Sequence, residues 1–91
     1  MNEVEELVGT ARDLAEGVAA IASDLLEQGV DIARVHGRYV APAVELLADV
    51  EALALQALGG EGSLAALTTA VEALADLYRR AGAELGRSGE L

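Results

Sequence analysis

His36 is the single histidine of a 91-residue chain that has no cysteine. Any chemistry needing an imidazole at neutral pH must therefore run through it. One histidine is enough to hold a porphyrin iron as axial ligand, and Ala33, Gly37 and Ala43 around it are small. That makes His36 the one candidate cofactor-binding residue; the plainer reading is a partly buried histidine near a bend. A zinc site would need three further ligands drawn from carboxylates alone. A di-iron site needs Glu-x-x-His on two helices and two more inward glutamates, and the residue three before His36 is Ala33. The acid pairs Glu45/Asp49 and Glu72/Asp76 stand at i, i+4 off the apolar stripe. Like charges there repel by a few tenths of a kcal/mol, so they read as solvated faces. A hydrolytic triad would also have to use His36. Ser63 reads better as a helix cap, and Thr68 and Thr69 as surface residues. Gly59-Gly60-Glu61-Gly62 lacks the Gly-Lys-Ser/Thr of a phosphate loop and carries a carboxylate of its own. The expectation is no catalytic residue, no metal, no cofactor and no enzymatic activity.

The elements that would carry these residues are helices. Asn2 is a good N-cap, with Glu5 three residues on and Glu3, Glu5 and Glu6 in the first turn, where the helix dipole favours negative charge. Val4, Leu7, Ala11, Leu14, Val18, Ile21 and Leu25 then follow a 3-4 spacing, widened by Val8, Ala15, Ala22 and Leu26. Gly29 is placed to stop this helix. A second stretch begins at Asp31 and runs Ile32, His36, Tyr39, Ala43, Leu46, Val50, Leu53, Ala57, with Gly37 and Pro42 inside it. Proline removes a helical hydrogen bond and clashes with the preceding turn. The unbroken 3-4 phase favours a kink between Gly37 and Pro42 over a break into two helices. After the glycine turn, Ser63 caps a third stretch: Leu64, Leu67, Val71, Leu74, Tyr78, Ala81, Leu85, widened by Ala70 and Leu77. Arg79 and Arg80 suit its C-terminal end, and Gly86 is its expected stop.

These spacings predict helices over about residues 2–28, 31–58 and 63–86, with a frayed tail at 87–91. Each rod is roughly 36–42 Å long at 1.5 Å per residue. Tight turns between rods of equal length give a single all-α domain, an up-down-up three-helix bundle with a kinked second helix. Ile32, Tyr39, Leu46, Val50, Leu67, Leu74 and Tyr78 are the expected core or interaction residues. A buried tyrosine needs a partner for its hydroxyl, and His36 is the candidate for Tyr39. The interior helix glycines Gly9 and Gly17 each cost about 1 kcal/mol against alanine. An idealised design avoids that cost unless a ligand or a helix must approach closely, so these glycines favour a natural chain.

Composition excludes several classes. Hydrophobic residues make up 53%, but Tyr39 and Tyr78 are the only aromatics, so small aliphatics must fill the core. Sixteen acids against six arginines leave a net charge of -10, with no lysine, which repels nucleic acid and anionic lipid. No stretch is apolar enough to span a membrane, since Val40 to Leu58 carries Glu45, Asp49 and Glu51. No secretory signal peptide is visible.

Val35-His36-Gly37-Arg38-Tyr39 is similar to the Thr-His-Gly-x-Tyr segment of EspC-like substrates of actinobacterial type VII secretion. The resemblance covers Val35 to Leu85. As in that family, an Ala/Leu-rich helix (Ala43 to Leu58), a small-residue break and a final helix bearing a tyrosine (Tyr78) follow in order. The family's export signal is Tyr-x-x-x-Asp/Glu; here the fourth residue after Tyr78 is Gly82, and the nearest acid is Glu84. The resemblance implies a secreted helical protein exported by a non-classical route. The absence of lysine and phenylalanine fits a high-GC genome, whereas a designed bundle would fill its surface with Lys, Glu and Ala. The functional expectation is a non-enzymatic interaction module whose partner is itself or another helical protein. The alternative is a designed helical bundle, either a bare scaffold or a porphyrin binder using His36.

Overall fold

The computed structural model describes residues 2–60 and 62–89, the side chains of 88 and 89 excepted. Three rods pack side by side and run up, down and up. The first is α1 (Glu3–Glu27). The second joins α2 (Ile32–Val35), one π turn (His36–Val40) and α3 (Ala41–Leu58). The third is α4 (Leu64–Gly89). Among the described residues there is no strand. The bundle measures 49 × 21 × 16 Å.

Local chemistry fixes the ends. The Asn2 side chain accepts from the Glu5 N–H at 2.8 Å, Asp31 from the Arg34 N–H at 3.1 Å, and Ser63 from the Ala66 N–H at 3.3 Å. Each satisfies one of the unpaired donors of a helix start. Gly29 and Gly60 adopt φ of +91° and +81°, a conformation in which glycine meets no Cβ penalty. Gly62 is required for space: a Cβ there would stand 2.8 Å from the Ala57 nitrogen. Glu61, also assigned to this turn, and residues 90 and 91 of the expected tail lie outside the described residues.

The second rod is one joined, bent piece, as expected from Gly37 and Pro42, and the bend takes the form of a π turn. The residues on either side of the π turn keep right-handed helical angles, Val35 at φ -61°, ψ -46° and Ala41 at φ -62°, ψ -47°. The Ala41 N–H bonds back five residues to the His36 carbonyl. Pro42 then falls in the first turn of α3, where a missing N–H costs nothing. Opening one turn to i, i+5 bonding spares the Pro42 ring its clash with a carbonyl four residues back.

That turn has a second effect. It holds about one residue more than an α turn, so upstream residues are rotated by roughly 100° relative to an unbroken helix. Val35 therefore enters the core at 1% exposure, while Ile32, expected inside, stands 69% exposed. His36 is exposed with it.

The core is otherwise aliphatic and small: Ala11, Val18, Ala22 and Leu25 from α1, Ala43, Val50 and Ala54 from α3, and Leu67, Val71, Leu74, Leu77 and Ala81 from α4. Leu46 is half-buried against it. Along α4 the centre of the buried face lies at Leu77, whereas Tyr78 is 41% exposed. The Tyr78 ring lies over Gly17 of α1, where a Cβ would stand 2.8 Å from its Cδ2. The absent side chain of Gly17 leaves the room that this ring occupies. Gly86 does not stop α4, which runs on to Gly89. Glycine permits a stop but at about 1 kcal/mol does not impose one. Arg79 and Arg80 consequently lie more than two turns from the helix end, and both pair with Asp76, at 3.4 and 3.1 Å.

Candidate functional site

The bundle offers two places where side chains gather outside the aliphatic core. The first is at the end formed by α2, the π turn and the last turns of α4. Tyr39 faces inward one turn before the buried Ala43, and its hydroxyl reaches across to α4 and donates to Glu84 Oε1 at 2.5 Å. Arg34 and Arg38 meet the same oxygen at 3.3 and 3.5 Å from the solvent side. Glu84 is 5% exposed, and a buried carboxylate is tolerated only with such partners. The Tyr39 hydrogen bond, joined by the two guanidiniums, holds the Glu84 carboxyl below the usual carboxylate range against the opposing effect of burial. Burial, then the bond to Glu84, pushes the Tyr39 phenol up.

The expected partner of Tyr39, His36, is replaced by Glu84, because the rotation that brings Val35 inward carries His36 out. An open cleft of about 450 Å³ lies beside this cluster, lined by Arg38, Tyr39, Arg80, Ala83, Glu84 and Arg87. Its cationic charge is largely taken: Arg38 is on Glu84 and Arg80 on Asp76. The cluster works as a latch between the second and third rods. Among the described residues, no three His, Asp or Glu side chains gather where they could hold a metal ion.

The second place is the opposite end, where the first turns of α1 meet the last turns of α3. Val4, Val8 and Gly9 on one side and Ala54, Leu55 and Leu58 on the other form a groove of about 360 Å³. Leu55 is 72% and Leu58 58% exposed. Glu5 and the Arg12–Glu51 pair, 3.6 Å apart, edge it. Leu55 lies one residue beyond the buried Ala54, so the 3-4 stripe did not include it. Its signal in the sequence was the run Leu53-Ala54-Leu55, which offers more apolar side chains than one core face can take.

Of the expected interaction residues, Tyr39, Val50, Leu67 and Leu74 lie in the core, Leu46 at its edge, and Tyr78 on the α1–α4 seam. None of them lines the exposed groove. Thr68 and Thr69 lie along α4 with their hydroxyls donating to carbonyls one turn back, and Glu45, Asp49, Glu72 and Asp76 are exposed. Comparison with family models, curated proteins and solved structures returns no match. Among the described residues no helix is long and apolar enough to cross a membrane.

Proposed function

We propose that this chain is a non-enzymatic helical interaction module whose working surface is the groove between the start of α1 and the end of α3. The observation that carries the reading is the pair Leu55 and Leu58. Both are mostly in water, although burying one leucine contributes about 1.5–3 kcal/mol. They adjoin Val4, Val8 and Ala54, so the apolar surface is contiguous, and such patches mark binding sites. Their exposure is useful only if something covers them part of the time.

The test has two arms: solution mass by light scattering at two protein concentrations, and titration with amphipathic helical peptides of either charge. Self-association or peptide binding that is lost in Leu55→Glu/Leu58→Glu supports the reading. A mass of 9.3 kDa at both concentrations, with neither peptide bound, refutes it.

The resemblance to EspC-like secreted proteins belongs to the same proposal. It rests on the residues Val35 to Tyr39 and on the order of helix, glycine turn and helix after them. Gly82, at the acid position of the family's export signal, packs toward Ile21 of α1, so an acid there would enter a helix seam. Export from an actinobacterium through its type VII machinery, lost in Tyr78→Ala, supports that ancestry; export independent of the machinery counts against it. The alternative, a porphyrin held by His36, gains nothing from a histidine that is exposed and outside every cleft described above. A haem titration followed at the Soret band, compared with His36→Ala, decides it.

A further inference from the structure

We infer that the occupant of the Leu55–Leu58 groove is a basic amphipathic helix from another protein, which docks against the bare backbone of Gly9. This rests on the interaction reading above and names the partner's chemistry.

Gly9 is the first observation. It is the seventh residue of α1, inside the helix, where alanine would serve the fold better. A Cβ built on it meets nothing within 4 Å, so nothing inside the molecule calls for a glycine. Gly17, on the same helix, is the contrast, since the Tyr78 ring fills its space. Gly9 also has a helical φ, as the described residues with positive φ are Gly29 and Gly60. What Gly9 does provide is backbone without a side chain among the residues that line the groove, together with Val8, Leu55 and Leu58. A glycine lets a second helix approach more closely than any other residue would.

Charge is the second observation. Glu5 and Glu51 edge the groove against Arg12 alone, while Glu3 and Glu6 line the neighbouring cleft between α1 and α4. Arg12 is engaged by Glu51 at 3.6 Å. The surroundings are therefore acidic, in a chain of net charge -10. A second copy of this chain would bring the same negative charge to the contact. A helix with leucine-like anchors at i, i+3, i+4 and i+7 and lysine or arginine at its flanks meets both the apolar floor and the acidic rim.

The experiment uses the full chain and a synthetic 18-residue helical peptide of leucine and lysine with that spacing, plus its leucine–glutamate counterpart. Binding is measured by calorimetry at two salt concentrations. Gly9→Ala and Gly9→Leu are compared with wild type, and thermal unfolding is recorded for each.

The expected result is opposite signs. Gly9→Ala raises Tm by about 4–8 °C, as helix propensity dictates, while Gly9→Leu weakens binding of the basic peptide at least about tenfold in a folded protein. Glu5→Gln weakens it less and reduces its salt dependence. Basic peptide that binds equally well to Gly9→Leu overturns the inference, because attraction to general negative charge would then suffice. No binding of the basic peptide also overturns it. If, in that case, the chain self-associates through Leu55 and Leu58, the interaction reading stands and a second copy is the occupant. If it does not, and the acidic peptide fails too, both fall.

Discussion

Replacing Tyr39 by phenylalanine removes one oxygen from the interior and leaves the ring in place. Glu84 then keeps only Arg34 at 3.3 Å and Arg38 at 3.5 Å, both reaching in from exposed positions. A hydrogen bond to a charged group contributes about 1.5–3 kcal/mol. The two guanidiniums can close part of the gap, so a loss of about 2 kcal/mol near neutral pH is expected. In a domain of this size that lowers Tm by roughly 8–16 °C. Urea unfolding followed by helical circular dichroism gives the number directly, with the slope m unchanged because the area exposed is the same.

The pH dependence distinguishes this bond from mere packing. The Glu84 carboxyl is held below its ordinary value, chiefly by the Tyr39 hydroxyl. Its contribution is present above the unfolded carboxylate pKa and is lost as pH falls through the lower folded value. Tyr39→Phe removes the main cause of that depression. The gap between wild type and variant should therefore shrink on acidification from about pH 7 to about pH 3. A variant as stable as wild type at neutral pH, or a gap of the same size at both, would refute the latch.

On the alkaline side the raised Tyr39 phenol stabilises the fold below its ordinary pKa of 10.0. That contribution should fade as pH rises through the folded value, and Tyr39→Phe should lack it in a base titration of stability. Val35→Ala should cost about 2 kcal/mol and Ile32→Ala less than about 0.5 kcal/mol, measured by urea unfolding; the reverse order would place the π turn wrongly. Gly17→Ala should gain helix propensity but displace the Tyr78 ring. In a Tyr78→Ala background it should become stabilising by about 1 kcal/mol, a coupling that a double-mutant cycle reads. Gly62→Ala should destabilise, since its Cβ would stand 2.8 Å from backbone, and thermal unfolding reports it.

The architecture was legible because it depends on features that act locally. Caps at Asn2, Asp31 and Ser63, glycines at 29 and 60, and apolar residues three and four apart each specify a helix or its end without reference to the rest. The second rod was harder for a physical reason. Pro42 announces a disturbance, but a kink, a break and a π turn all answer it, and only the last rotates the preceding residues. Ile32 and His36 were misplaced by that single turn of backbone. Glu84 was harder still, since an isolated glutamate near a helix end looks like any solvated acid. Its burial depends on a tyrosine 45 positions earlier, a pairing that no helical period encodes. The Leu55–Leu58 groove was hidden differently, because a stripe identifies what can be buried and says nothing of what is left over.

The up-down-up order also governs how the chain must fold. The broadest interface in the molecule joins α1 to α4, the two elements furthest apart along the sequence. Neither of the two hairpins that form by local collapse contains it. As the chain is synthesised, α1 can pack on the second rod but keeps the part of its apolar face that meets α4 uncovered until the last rod appears. A fragment ending before α4 would lack Leu67, Leu74 and Leu77, three of the four fully buried leucines of the core, so the first two rods alone are left half-covered. Substitutions along the α1–α4 seam, at Val18, Leu25, Leu74 or Ala81, should then slow folding where their contacts form in the rate-limiting closure, and otherwise speed unfolding.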